Sequence, residues 1–186
     1  MTTVAIIGAG PLGRWLALSA ARAGLNVLLE DVMPANLHHA QELLRRELGP
    51  ESLAICAGSR QAVTFVSTIE DAVREADLVI DCVPDELESK LEILWLLDRM
   101  APPRTVFATP TTRLSIADLA ACTYRPEKCI AIAAEASALA ENPGSQVLLC
   151  TTSRTSAETV ALVDRFWRRL GYTPAYVTDP AGVPSN

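Results

Sequence analysis

Short apolar runs alternate along this chain with longer segments whose apolar positions recur every three or four residues. The runs Val4–Ile7, Asn26–Glu30, Val63–Val66, Leu78–Val83, Thr105–Thr109, Cys129–Ala133, Val147–Cys150 and Tyr176–Val177 read as strands. Between the first two, Leu12, Trp15, Leu16, Ser19, Ala20 and Ala23 fall on one helical face, which Gly24 ends. Leu37, Ala40, Leu44 and Leu48 mark a second helix from Pro34, stopped at Gly49–Pro50. Thr68 is placed to cap a short helix through Ile69, Ala72 and Val73. Leu87, Leu91, Leu94 and Leu97 mark another, broken at Pro102–Pro103, and a short helix is expected over 115–121. The last helix is expected to open on the capping-box pattern Thr155-x-x-Glu158, carry Val160, Val163, Trp167 and Leu170 inward, and end at Gly171. Residues 50–60 carry no clear period.

Strand and helix in strict alternation predict an α/β fold, a doubly wound and mostly parallel sheet covered by helices on both faces. No repeat, linker or low-complexity stretch divides residues 1–186, so one domain is expected.

The join between the first strand and the first helix carries chemistry. Gly8–Ala9–Gly10–Pro11–Leu12–Gly13 follows a buried-strand pattern and opens a helix, and the second strand runs into the acid Asp31. This is a dinucleotide-binding fingerprint in its proper frame. Gly8 permits the tight turn, Gly10 lets the backbone approach a pyrophosphate, and Gly13 lets the helix sit close to the strand; Pro11 and Leu12 complete the turn at the positive end of the helix. Asp31 would accept hydrogen bonds from the adenosine ribose and repel a 2′-phosphate. Val32, Met33 and Pro34 supply no arginine to hold such a phosphate, so NAD is the expected cofactor.

Composition narrows the remaining choices. Hydrophobic residues make up 49% and charged ones 20%, which suits a well-packed core. A formal net charge of −6 speaks against nucleic acid or an anionic membrane as the main partner. Five cysteines at 56, 82, 122, 129 and 150 form no C-x-x-C pair, and a reduced cytoplasmic setting is expected. The first residues lack a basic signal-peptide region, and no apolar run reaches transmembrane length. The histidines are His38 and His39, neighbours on the helix after the second strand, and adjacent helical residues do not converge on one metal ion.

Several segments together resemble the NAD-binding domain of the L-3-hydroxyacyl-CoA dehydrogenase family. They are Ile6–Gly13 with Asp31, Ala76–Lys90, Phe107–Ile116, Pro126–Lys128 and Thr152–Ser156, and they span nearly the whole chain. The resemblance implies an oxidoreductase of fatty acid metabolism that moves hydride between NAD and a secondary alcohol, with an acyl-CoA as small-molecule substrate. It implies that Cys82 and Val83 line the pyrophosphate side, that Asp85 and Lys90 lie near the nicotinamide ribose, and that Thr112 keeps the hydroxyl which the family places near the substrate oxygen.

The departures are as informative. The family's general-base histidine falls at Ala133, the glutamate that orients it has no clear counterpart before Thr151, and the asparagine of the serine-rich turn is replaced by Pro110. Glu135, with Glu141 behind it, is the carboxylate placed to substitute as base. The family's helical second domain has no counterpart in these residues, so a homo-oligomer or a separate helical domain is the expected partner. Three readings stay open: an enzyme of 3-hydroxyacyl-CoA dehydrogenase type, a non-catalytic NAD-binding or redox-sensing module, and another NAD-dependent 3-hydroxy acid dehydrogenase.

Overall fold

A computed structural model describes residues 2–49, 63–133 and 144–179. The apolar runs become β1 (Thr3–Ile7), β2 (Asn26–Glu30), β3 (Val63–Val66), β4 (Leu78–Asp81), β5 (Val106–Pro110), β6 (Cys129–Ile132), β7 (Gln146–Thr151) and β8 (Thr173–Thr178). The helices are α1 (Pro11–Arg22), α2 (Pro34–Leu48), α3 (Ile69–Val73), α4 (Leu87–Met100), α5 (Ile116–Ala121) and α6 (Ala157–Arg169).

All eight strands join one sheet in the order β3-β2-β1-β4-β5-β6-β7-β8. Neighbours are parallel except at β6 and β7, which run antiparallel, and β8 then follows β7 in parallel. The doubly wound expectation therefore holds, with a reversed pair of strands at one edge. Right-handed crossovers carry the chain outward from β1 in one direction and, from β4, in the other. Loops at the carboxyl ends of β1 and β4 consequently diverge and leave a crevice between them, the usual place for a ligand in such sheets.

Central strands are apolar at nearly every position because helices cover both faces. One layer packs Ile6, Leu16, Leu29, Leu44, Ile80 and Trp167 between the sheet and α1, α2 and α6. The other packs Ile7, Val79, Leu94, Phe107 and Leu119 beneath α3, α4 and α5. Trp167 is fully buried and meets Trp15, Phe166 and Tyr172 with ring centroids 6.5, 5.4 and 5.6 Å away, which clamps α6 beside α1. Several boundaries differ from expectation: β4 ends at Asp81 rather than Val83, β5 shifts by a residue, β7 gains one at each end, and β8 runs over Thr173–Thr178 rather than Tyr176–Val177. The last helix is capped by Ser156, whose hydroxyl accepts from the Thr159 N–H, while Thr155 serves the preceding turn through Thr152. The sixth strand ends at Ile132, one residue early.

One ion pair holds the carboxyl end of α4 to the turn before β6. Arg125 donates from Nε to Asp98 Oδ1 at 2.7 Å and through its other nitrogens to the Pro102 and Asp98 carbonyls, both at 2.6 Å. The Asp98 side chain is 2% exposed. Removing one partner of a buried pair strands the other charge, so Arg125→Ala should lower unfolding free energy by about 3–5 kcal/mol, read as a fall in the urea midpoint. Asp98→Asn in the same chain should recover part of that loss.

Candidate functional site

The crevice is built by the turn between β1 and α1. Gly8 has φ +100, and a Cβ there would meet the Cys82 carbonyl at 3.0 Å. A Cβ on Gly13 would stand 1.8 Å from the Gly8 carbonyl oxygen, an overlap with backbone that cannot relax by a side-chain turn. At Gly10 an added Cβ meets no protein atom within 4 Å. Gly8 and Gly13 are therefore required by the fold, whereas the space left open at Gly10 faces the crevice, where a ligand can approach the backbone.

Asp31 is fixed from both sides. Its Oδ2 accepts from the Ala9 N–H at 2.7 Å and from Asn36 Nδ2 at 3.0 Å, and its Oδ1 accepts from the Met33 N–H at 2.7 Å. A carboxylate held by these donors keeps its orientation without a ligand and retains lone pairs for ribose hydroxyls. Beside it opens a cavity of about 510 Å³ lined by Gly8, Gly10, Pro11, Asp31, Cys82 and Val83, with Ile69 and Ile93 at its apolar side. Burial pushes the Cys82 thiol up, so it lines the wall as a small apolar group rather than a nucleophile. Leu12 lies elsewhere, with its side chain packed against the core beneath α1.

Asp85 and Lys90 are not among the cavity walls. Asp85 Oδ2 accepts from the Thr112 N–H at 3.1 Å, and the Asp85 carbonyl accepts from Arg113, which joins the loop after β4 to the turn after β5; Asp85 Oδ1 is buried without a partner. Lys90 is fully buried, and its Nζ donates to the carboxylate of Asp81 and, at 3.2 Å, to the Asp81 carbonyl. Burial raises the Asp81 carboxyl to about 6, against the pull of Lys90 and Thr109. Asp81 was missed in the sequence, though an acid inside the run Leu78–Val83 signals a buried partner.

A second hollow, about 170 Å³, lies at the carboxyl ends of β5 and β6, lined by Thr112, Ser115, Ala133, Cys150 and Asp179. Asp179 accepts from Ser115 Oγ at 2.8 Å and from the Ala117 N–H at 2.9 Å, pinning the end of β8 to the start of α5. The Ala133 N–H donates to the Leu148 carbonyl at 2.9 Å, so the residue directly across from Ala133 is aliphatic as well. Glu135 and Glu141 lie outside the described residues.

The family model for the NAD-binding domain of 3-hydroxyacyl-CoA dehydrogenase matches residues 3–180. The chain belongs to this family. A probable 3-hydroxybutyryl-CoA dehydrogenase of Bacillus subtilis is 31% identical over 192 residues, covering 98% of this chain and 64% of that protein. A 5-formyl-3-hydroxy-2-methylpyridine 4-carboxylate 5-dehydrogenase of Mesorhizobium japonicum is 29% identical, covering 94% of this chain and 56% of that protein. Among solved structures, the (S)-3-hydroxybutyryl-CoA dehydrogenase of Ralstonia eutropha superposes with a TM-score of 0.79 at 26% identity, covering all of this chain and 66% of that one. The chain thus spans less than two thirds of the curated relatives described, and it corresponds to their NAD-binding domain.

Two outcomes follow from this geometry. NADH should bind in preference to NADPH in calorimetry, and Asp31→Ala should narrow the gap between them, because the carboxylate that repels a 2′-phosphate is removed. Lys90→Met leaves Asp81 buried beside no cation and should lower stability by about 3–5 kcal/mol in urea unfolding, with Asp81→Asn added to the same chain restoring much of it.

Proposed function

We propose that this chain is the cofactor half of an NAD-dependent oxidoreductase that acts on a 3-hydroxyacyl-CoA or a similar secondary alcohol. The observation that carries the proposal is the prearranged Asp31 carboxylate beside the open face of Gly10, which suits an adenosine ribose and its pyrophosphate. The cofactor would supply the acceptor for hydride. The chain's own residues would bind and orient: the amino end of α1 faces the phosphates, and Asp85, through its unpartnered Oδ1, accepts from the nicotinamide ribose. Thr112 is exposed beside the second hollow and would donate its hydroxyl hydrogen to the substrate oxygen, with Glu135 as the carboxylate that takes the substrate proton.

We place a further packing surface on the sheet face of β7 and β8. Leu148, Cys150, Ala175 and Val177 share one face of β7 and β8, and Leu148 and Val177 are 36% and 37% exposed. A helical domain or a second copy of the chain packing there would complete the substrate cleft.

A specific observation favours a second reading, in which the domain binds NAD without catalysing a reaction. Ala133 and Leu148 stand opposite each other where the family has a histidine and needs a group to orient it, and neither can hold a proton. NADH formation from (S)-3-hydroxybutyryl-CoA separates the two. We expect the 186-residue chain saturated with NAD to show little turnover, since general-base catalysis is worth about 10²–10⁴-fold. Robust turnover abolished by Glu135→Gln would instead establish the enzyme reading with Glu135 as base.

A further inference from the structure

The crevice holds one acidic group that the family pattern leaves without a role. Glu30 ends β2, and its Cα pairs with Ile7 on one side and Val66 on the other. Leu29 packs into the layer beneath α1 and α2, so alternation turns Glu30 to the opposite face, among Ile7, Val66 and Ile69. It is 4% exposed and lines the 510 Å³ cavity; its backbone carbonyl accepts from the Gly8 N–H at 2.8 Å, whereas its carboxyl has no hydrogen-bond partner among the described residues. A strand-end glutamate commonly extends into water; this one is buried and lines the cavity together with Ile69 and Ile93. Asp31 is the neighbour that orients the adenosine ribose in the reading above, and the group one bond beyond that ribose is the base.

Resting on that NAD-binding reading, we propose that Glu30 reads the adenine ring, its neutral carboxyl accepting from the exocyclic amino group and donating to the adjoining ring nitrogen. An ionised carboxylate could make only the first of these bonds and would face the lone pair of the ring nitrogen. Burial, and then the nearby Asp31 charge, raise the Glu30 carboxyl to about 7, so the neutral form is well populated near neutrality. The titratable groups lining the cavity with Glu30 are Asp31 and Cys82. The neighbours supplied by β1, β3, α3 and α4 are Ile7, Val66, Ile69 and Ile93, which carry no charge. The buried ion pair of Asp81 with Lys90 is not among the residues lining this cavity.

The test is NADH affinity by fluorescence titration between about pH 5.5 and 8.5 for the wild-type chain, Glu30→Gln and Glu30→Leu, with the 1,N6-etheno analogue of NAD as a second probe. Wild-type affinity should fall about three- to tenfold as pH rises through about 7, the loss of one hydrogen bond made by the neutral form. Glu30→Gln, which keeps a donor and an acceptor, should hold its affinity across the range, and Glu30→Leu should bind several-fold more weakly than Glu30→Gln at every pH. The etheno bridge closes the edge of the base, so the analogue should lose affinity for the wild type and lose none in Glu30→Leu. A flat wild-type profile, or Glu30→Leu binding as tightly as Glu30→Gln, would overturn the proposal while leaving NAD binding intact. Failure of NADH to bind at any pH would overturn both.

Discussion

The contact on which the cofactor end of this molecule depends is the approach of α1 to β1, so close that a Cβ on Gly13 would fall 1.8 Å from the Gly8 carbonyl. That approach brings the free N–H groups of α1 to the mouth of the crevice. It also sets Ala9 where its N–H can reach Asp31, and this hydrogen bond joins the end of β1 to the end of β2. The cavity, its acidic lining and the position left open at Gly10 follow from this packing, because each is built on the two loops it locks together.

Charge inside the domain is used where connections must hold. Asp81 with Lys90 fixes the start of α4 to the end of β4, and Asp98 with Arg125 fixes the end of α4 to the turn before β6. Buried pairs are costly to desolvate and costlier still to break, so they specify one docking of α4 more than they add net stability. Glu30 differs from both in having no such partner. An uncompensated buried carboxyl shifts toward its neutral form, and that shift is what suits it to a base with a donor and an acceptor side by side.

The second hollow presents the opposite arrangement. Thr112 and the Asp85 loop are tied together by the Thr112 N–H, so the turn that would face the reacting carbon is ordered. Across the hollow, Ala133 and Leu148 supply no proton acceptor. A site prepared to hold a dinucleotide is thus combined with a hollow in which the facing pair Ala133 and Leu148 is aliphatic. In the proposed enzyme reading Glu135 is the base.

Much of this was legible in the residues themselves. Period-two and helical spacing located the strands and helices, since a sheet covered on both faces demands continuous apolar runs and each crossover helix an apolar stripe. The Gly8–Gly13 turn with Asp31 was legible because its glycines answer local steric demands, and with the segments from Ala76 to Ser156 it pointed to the family that the comparisons show. What the chain order could not carry was the outcome of distant packing. The reversal of β7 leaves no trace in an apolar pattern that reads the same in either direction. Lys90, which the resemblance set near the nicotinamide ribose, and Glu30 show no sign of burial in the sequence, and only the docking of α4 on β4 buries the first against Asp81. Only the pairing of β2 between β1 and β3 turns the second into the crevice, because neither a side chain's burial nor its partner is decided until strands far apart in the chain are set side by side.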